Sequence, residues 1–432
     1  MNPIKIDNSN KLNFINRITI FFLLTVILEG AIRKWISNTY SLEIILFRDS
    51  IVIIGILYGF ISSTYSKSGI PEKILIIWTI LVLFWLILQI VFKDLNFFVG
   101  LVGIRNWILY LWFSILIYRG FDRNQLNYLI KILVLLSFPI ILLGCFQYFS
   151  PINSFINKPL VEGSFIFQFV DGVVRPSSFF TFTYGYTQFL FLVIQILFYF
   201  ILFLQEKTNE KILPIILFFL ILSSVFFSGS RQVIIFSGIL LFFLIIKNKE
   251  TKLISLRFVF LTFFIIFIIL LFSDEIIFEN IKNIKERFFY ASSSESVSDR
   301  ILYNIIGDPN TWKLFSLLGE GLGSSSNMSR GFINIYENEY FNYGHNEIDR
   351  IFLEGGLLGI IFIFLKYLFI LYFLKKIFNQ NFKKDNLIRY CLFYFIIIQF
   401  LFSSITGQIT SQAITSIGLG MFLITIKTKE IK

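Results

Sequence analysis

The sequence predicts an all-α polytopic membrane protein, with about 12 transmembrane helices and a large extracytoplasmic loop between spans 9 and 10. Three observations predict it. The 432 residues are 56% hydrophobic and only 15% charged, with a mean hydropathy of +0.77, whereas soluble domains carry about 25% charged residues. Apolar runs, filled by the 57 phenylalanines and by isoleucine, repeatedly reach the roughly 20 residues needed to cross a bilayer. The basic residues between those runs alternate from poor to rich along the chain.

The first apolar window, 16–34, follows the polar start MNPIKIDNSNKLNFINR and ends in EGAIRKW rather than a small-residue cleavage site, so it reads as a retained span. Windows follow at 43–62, which contains Arg48-Asp49, then at 73–92, 98–118 and 126–149. An outer connection, 150–179, leads to 180–204. The next two, 212–228 and 231–247, are separated by almost no loop, and 254–272 precedes a long loop over 273–350. The last three are 351–374, 388–404 and 408–426, the final pair divided only by TGQ. The chain therefore divides into 1–272 with spans 1–9, the loop 273–350, and 351–432 with spans 10–12, all one integral-membrane domain.

With the N-terminus in the cytoplasm, the inner segments hold 22 lysines and arginines. The short outer segments hold six: Arg33, Lys34, Lys93, Lys158, Arg175 and Arg231. That bias places both termini inside; the long loop is left out because long loops cross regardless of charge. The net charge of +11 therefore records topology. Without blocky basic patches and interleaved aromatics it does not indicate a nucleic-acid partner. Cys145 and Cys391 lie in apolar runs on opposite sides, which argues against a disulfide and supports no metal site.

The outer side collects arginine while the inner side uses lysine in ordinary loops. Arg231 sits at the tip between spans 7 and 8, Arg48 near the outer start of span 2, Arg105 in the outer third of span 4, Arg175 at the end of the first outer connection, and Arg300 in the long loop. An intramembrane arginine costs roughly 2.5–3.5 kcal/mol on insertion scales, so several at one depth suggest a polar cavity with anionic contents. The planar guanidinium fork matches two phosphate oxygens and stays charged. The plainer alternative is pairing, Arg48 with Asp49 and Arg33 with Glu29. The lone histidine, His345, has an ordinary pKa near 6.5 that suits it to accept a proton, yet a loop histidine is commonly only a polar surface residue. GEGLGSSS is either a backbone cradle for phosphate or a flexible hinge; it precedes no strand–turn–helix unit, so it is no dinucleotide fingerprint. There is no Walker loop, zincin helix or nucleophile elbow, and no internal repeat of the kind that builds inverted-half transporters.

In order along the chain, FSGSRQ at an outer helix junction, LLGEGLGSS, and GHNEIDRIFLEGGLLGIIFIF opening a span resemble the bacterial O-antigen ligase and O-antigen polymerase superfamily. RPSSFFTFTYGYTQFL and GIRNWILYLWF look like that family's earlier arginine-bearing segments. The resemblance implies a metal-independent, inverting glycosyltransferase of the inner membrane, working on the outer face without a cofactor. The donor would be a glycan on undecaprenyl diphosphate. The acceptor would be a hydroxyl of another lipid-linked chain in a polymerase, or of lipid A-core in a ligase. It further implies that His345 and Arg231 are catalytic and that Arg175, Arg300, Arg105 and Ser230 bind the donor diphosphate. Glu354, Asn346 and Arg48 would be supporting residues. Polymerase is the reading carried forward, because the long aromatic loop suits a growing glycan. A flippase or other transporter is the alternative from another class, and a channel or structural protein a third.

Overall fold

The computed structural model describes residues 8–65, 69–160, 166–168, 173–207, 212–247, 297–332, 346–378 and 386–427. Among these the regular secondary structure is helical apart from one isolated bridge between Gln168 and Val174, with turns and irregular chain between the helices. Among the described residues, eight helices are long and apolar enough to cross a membrane: Leu12–Ile36, Ser41–Ile61, Pro71–Lys93, Phe97–Gly120, Arg123–Phe149, Thr183–Ile201, Leu357–Ile377 and Ile409–Lys427. Three shorter apolar helices, Leu213–Phe227, Arg231–Leu244 and Leu387–Phe402, accompany them. The expected span 254–272 and two stretches of the loop, 273–296 and 333–345, lie outside the described residues.

The helices are α1 (Asn8–Ala31, continued by a π-turn Ile32–Ile36), α2 (Ser41–Ile61), α3 (Ile70–Lys93) and α4 (Phe97–Ile104). A second π-turn, Arg105–Leu109, joins α4 to α5 (Tyr110–Gly120), and α6 (Arg123–Phe149), α7 (Thr183–Lys207), α8 (Ile212–Phe227) and α9 (Arg231–Lys247) follow. The remainder is α10 (Val297–Ile306), α11 (Pro309–Trp312), α12 (Glu347–Gly355), α13 (Leu357–Phe378), α14 (Leu387–Phe402) and α15 (Ile409–Lys427). The chain clusters into two compact units: one of Met1–Leu133, Ile301–Gln380 and Ile388–Lys432, the other of Val134–Arg300 and Asn381–Leu387.

Local chemistry sets the helix ends. Pro71 sits in the first turn of α3, where its missing N–H costs nothing, and the Glu72 carboxylate accepts the Gly69 N–H at 2.9 Å. Asp94 ends that helix in the left-handed conformation (φ 50°), and Asn96 caps α4 by accepting the Phe98 N–H. On α3, Ile77, Ile80, Phe84 and Ile87 are exposed at helical spacing, as expected for a face that meets lipid. On α2, Phe47, Ile54, Leu57 and Phe60 do the same.

One expected span is in fact two elements. The window 351–374 reads as continuous because its residues are apolar, yet the helix breaks between Gly355 and Leu357. Gly356 adopts φ +53°, a conformation open to glycine, and the chain folds back so that Gly359 packs on the Ile351 carbonyl. α12 is thus a separate short helix laid against α13.

Candidate functional site

In the second unit, the Ser228-Gly229-Ser230-Arg231 junction is a tight turn. Gly229 has φ +66°, and the Ser228 hydroxyl donates to the Val225 carbonyl (3.1 Å) while accepting the Ser230 N–H (3.2 Å). The Ser230 carbonyl accepts the Ile234 N–H, so Ser230 is the buried cap of α9 and half-buried Arg231 is the first helical residue. A helix start carries unsatisfied N–H groups and a partial positive charge. The turn therefore concentrates positive potential at Arg231.

Arg175 belongs to the connection after α6, which Gln147 organises. The Gln147 side-chain oxygen accepts the N–H groups of Ser177 (3.0 Å) and Ser178 (2.6 Å), and its amide donates to the Ile156 carbonyl (2.9 Å). The Asn157 amide ties the carbonyls of Gln147, Ser150 and Pro151 together. The Arg175 N–H pairs with the Phe167 carbonyl at 2.8 Å. A small open cleft of ≈ 50 Å³ results, lined by Lys158, Phe167, Arg175, Ser177 and Thr181 among others. The Arg175 Nε is buried without a hydrogen-bond partner. Burial, and after it the nearby Arg231 charge, lowers the Arg175 pKa from its ordinary value. Two guanidinium groups in electrostatic reach of one another are an arrangement that an anion relieves.

The first unit holds a buried polar layer. The Asp49 carboxylate accepts from Arg105 Nε (2.5 Å), from the Tyr110 hydroxyl (2.5 Å) and from Arg48 (3.3 Å). Arg48 is fully buried and also meets Glu29 at 2.5 Å, which in turn pairs with Arg33 at 2.9 Å. Arg105 further donates to Asn106 (2.8 Å) and reaches Gln412 on α15 (3.5 Å). The pairing alternative thus describes Arg33, Arg48 and Arg105, whose charges all meet carboxylates inside the protein. The π-turn Arg105–Leu109 brings this about, its extra residue per turn pointing Arg105, Asn106 and Trp107 inward.

Beside that layer, the glycine-rich segment packs as a clasp. Gly319, Gly321 and Gly323 all have positive φ. The Gln89 amide donates to the carbonyls of Leu318 (2.5 Å) and Glu354 (2.9 Å), and its oxygen accepts the Leu322 N–H (2.9 Å). The N–H groups of Gly319, Glu320, Gly321, Ser324 and Ser326 bond to carbonyls, and that of Ser325 to the Glu354 carboxylate at 3.1 Å. The segment's donors are largely spent inside the protein, so it is neither a phosphate cradle nor a loose hinge. Its tightness answers the need for glycine: a Cβ on Gly323 would lie 2.6 Å from the Gly103 nitrogen and the Val99 carbonyl oxygen.

Glu354 is fully buried and accepts from Trp107 Nε1 (3.2 Å), Arg350 (3.2 Å) and the Ser325 N–H. Asn346 precedes the first residue of α12, and its amide donates to the Asp349 carboxylate at 3.3 Å rather than capping the helix with its side-chain oxygen. Burial pushes the Asp349 carboxyl up to about 6, with the Asp308 charge adding to it. His345 lies outside the described residues; Arg300 lies on α10, with its side chain likewise outside them. Among the described residues, no group of three or more His, Cys, Asp and Glu is arranged to hold a metal ion.

Four organising residues carry no motif that marks them in the sequence: Gln89, Gln147, Glu347 and Arg350. One signal was present. Glu347, Arg350 and Glu354 are spaced i, i+3, i+7, a charged stripe on one helical face.

Comparison with protein families matches residues 216–364 to the O-antigen ligase family. The motif resemblance is borne out over that segment, which runs from α8 through the SGSR turn and the glycine-rich clasp into α13. No curated protein and no solved structure shows significant similarity to the chain.

Proposed function

We propose, starting from a chain that carries the O-antigen ligase signature across residues 216–364, that it is a bacterial inner-membrane glycosyltransferase of surface-polysaccharide assembly. It moves a glycan from undecaprenyl diphosphate onto an acceptor hydroxyl, as a repeat-unit polymerase acting on the outer face. The observation that carries this reading is the Arg175–Arg231 pair: a buried guanidinium with an unpartnered Nε, in an open cleft, close to a like charge.

The chemistry assigns the roles. The acceptor oxygen attacks the anomeric carbon, the bond from that carbon to the phosphate oxygen breaks, and the electron pair leaves with the diphosphate. Arg231 and Arg175 hold the negative charge that develops on the leaving group, with Arg300 supplying a further cation and the capped Ser230 turn fixing Arg231. His345 takes the proton released by the acceptor hydroxyl. Attack from the face opposite the diphosphate inverts the anomeric centre. Arg105 and Arg48, already engaged by Asp49 and Glu29, hold the helices of the first unit together.

The test uses protein in native membranes with undecaprenyl-diphosphate-linked oligosaccharide and acceptor glycan. Removing one transition-state donor costs about 10²–10³ in rate. Arg231→Ala and Arg175→Ala should each lose transfer on that scale, and product formed at the wild-type rate by either would overturn the clamp. The product decides between polymerase and ligase: lengthened lipid-linked chains mean polymerase, and glycan on lipid A-core means ligase. Translocation of the donor in liposomes without any acceptor would identify a transporter instead.

A further inference from the structure

A first-turn acid normally faces its own helix N-terminus and water. Glu347 does something different. It is the first residue of α12, its side chain is only 8% exposed, and it reaches across to the connection between α14 and α15. There its carboxylate accepts the N–H groups of Ile405 (3.0 Å) and Thr406 (2.9 Å) and the hydroxyls of Ser404 (2.7 Å) and Thr406 (2.9 Å). A fifth donor is Arg350 on its own helix, at 2.9 Å. Arg350 also bonds the Thr406 hydroxyl, so the same turn is held from two positions on α12.

The charge balance points the same way. Lys366 on α13 is 3% exposed and its Nζ makes no hydrogen bond, an expensive condition for an ammonium group inside a membrane protein. The fold-back at Gly356 brings it within electrostatic reach of Glu347. Burial works against the Glu347 charge, but Arg350 and Lys366 together with the Ser404 hydrogen bond hold its carboxyl below the usual range. The 403–408 connection presents only hydroxyl and amide groups to it, so the two cations are the counter-charge.

We infer that Glu347 is a positioning residue: with Lys366 as counter-cation, it locks the start of α12 to the 403–408 connection and so holds that end of the helix, where Asn346 sits, for glycan transfer. The inference rests on the proposed transferase reading for its kinetic part only. Neither Glu347 nor Lys366 touches substrate. The lock acts through the backbone that leads into α12.

The test measures two things on purified full-length protein in micelles. Amide hydrogen exchange reads the lock itself, and steady-state transfer from undecaprenyl-diphosphate-linked oligosaccharide reads its consequence. Glu347→Gln should speed exchange at Ile405 and Thr406 about tenfold, the loss of one charge-assisted bond's worth of protection. It should lower kcat by about tenfold or more while KM for the donor stays within about twofold, and Glu347→Asp should recover part of both. Should Glu347→Gln fail to fold, Thr406→Val removes two contacts of the same lock and should shift both readouts in the same direction. Unchanged exchange at 405–406 overturns the lock, and faster exchange with wild-type kcat overturns the positioning role. No transfer by the wild-type protein sinks the transferase reading, while the exchange result still decides the lock.

Discussion

Replacing Asp49 with asparagine tests whether the arginines of the first unit are structural. The substitution keeps the shape and removes one charge. In the native protein that carboxylate accepts from Arg48, Arg105 and Tyr110 at 2.5–3.3 Å, with Arg48 fully buried and Arg105 9% exposed. After Asp49→Asn, Glu29 is the remaining carboxylate for Arg48 and is already shared with Arg33. Arg105 then faces an amide whose NH₂ competes as a donor. Breaking one partner out of a buried ion pair costs about 3–5 kcal/mol. At about 2–4 °C per kcal/mol for a unit of this approximate size, melting should fall by about 6–20 °C. Thermal unfolding of the purified protein in micelles, followed by intrinsic tryptophan fluorescence, measures it. The double replacement Asp49→Leu with Arg105→Met should regain most of the loss, since apolar isosteres of buried pairs are often neutral. Arg175→Gln, which removes a charge that burial and Arg231 already disfavour, should leave melting unchanged or raise it. Asp49→Asn melting within about 2 °C of wild type would refute the view that this cluster holds the unit together.

Other consequences are smaller in scope. Gly323→Ala forces a side chain into φ +87°, 2.6 Å from backbone atoms of Val99 and Gly103. It should cost about 2–4 kcal/mol through strain and overpacking, read as a lower melting temperature, whereas Gly238→Ala, inside α9 where nothing lies within 4 Å, should leave melting unchanged or raise it slightly. Asp349 has its carboxyl pushed from 3.8 up to about 6 by burial, so the folded state binds that proton more tightly than the unfolded one. Stability should therefore fall as pH rises from about 4 to about 6 and level off above. Subtracting the melting curve of Asp349→Asn from that of wild type across pH 4–8 isolates this component; a difference that stays flat with pH would remove it.

The helices were legible because lipid leaves few alternatives: a backbone crossing hydrocarbon must satisfy its own N–H and C=O groups, and long apolar runs mark where it does so. The windows 212–228 and 231–247 coincide with α8 and α9 within a residue. Hydropathy fails at Gly355-Gly356, because a fold-back between two apolar helices changes direction without changing composition. That failure hid α12, and with it the position of Glu347 and Arg350. The partners of charged groups were legible only where they are local, as for Arg33 with Glu29 or Arg48 with Asp49. Asp49 with Arg105, or Gln89 with the clasp at Leu318 and Leu322, join segments that no periodicity relates.

Arginine in an apolar chain therefore carries two meanings, and the surroundings separate them. Arg33, Arg48, Arg105, Arg119 and Arg350 each meet a carboxylate, and such a pair is self-contained: its charge is already neutralised, and an arriving diphosphate would have to displace an oxygen held at hydrogen-bond distance. Arg175 differs in kind. Its environment is a cleft with Lys158 on the wall, a second guanidinium nearby and a buried Nε with no acceptor. Such a group gains from an anion what the others have already gained from Asp and Glu. The energetic cost of keeping Arg175 in that condition without ligand is what makes it responsive to one. On the proposed transferase reading that asymmetry has a use: paired arginines hold helices together, and Arg175 waits under-compensated where charge is to arrive.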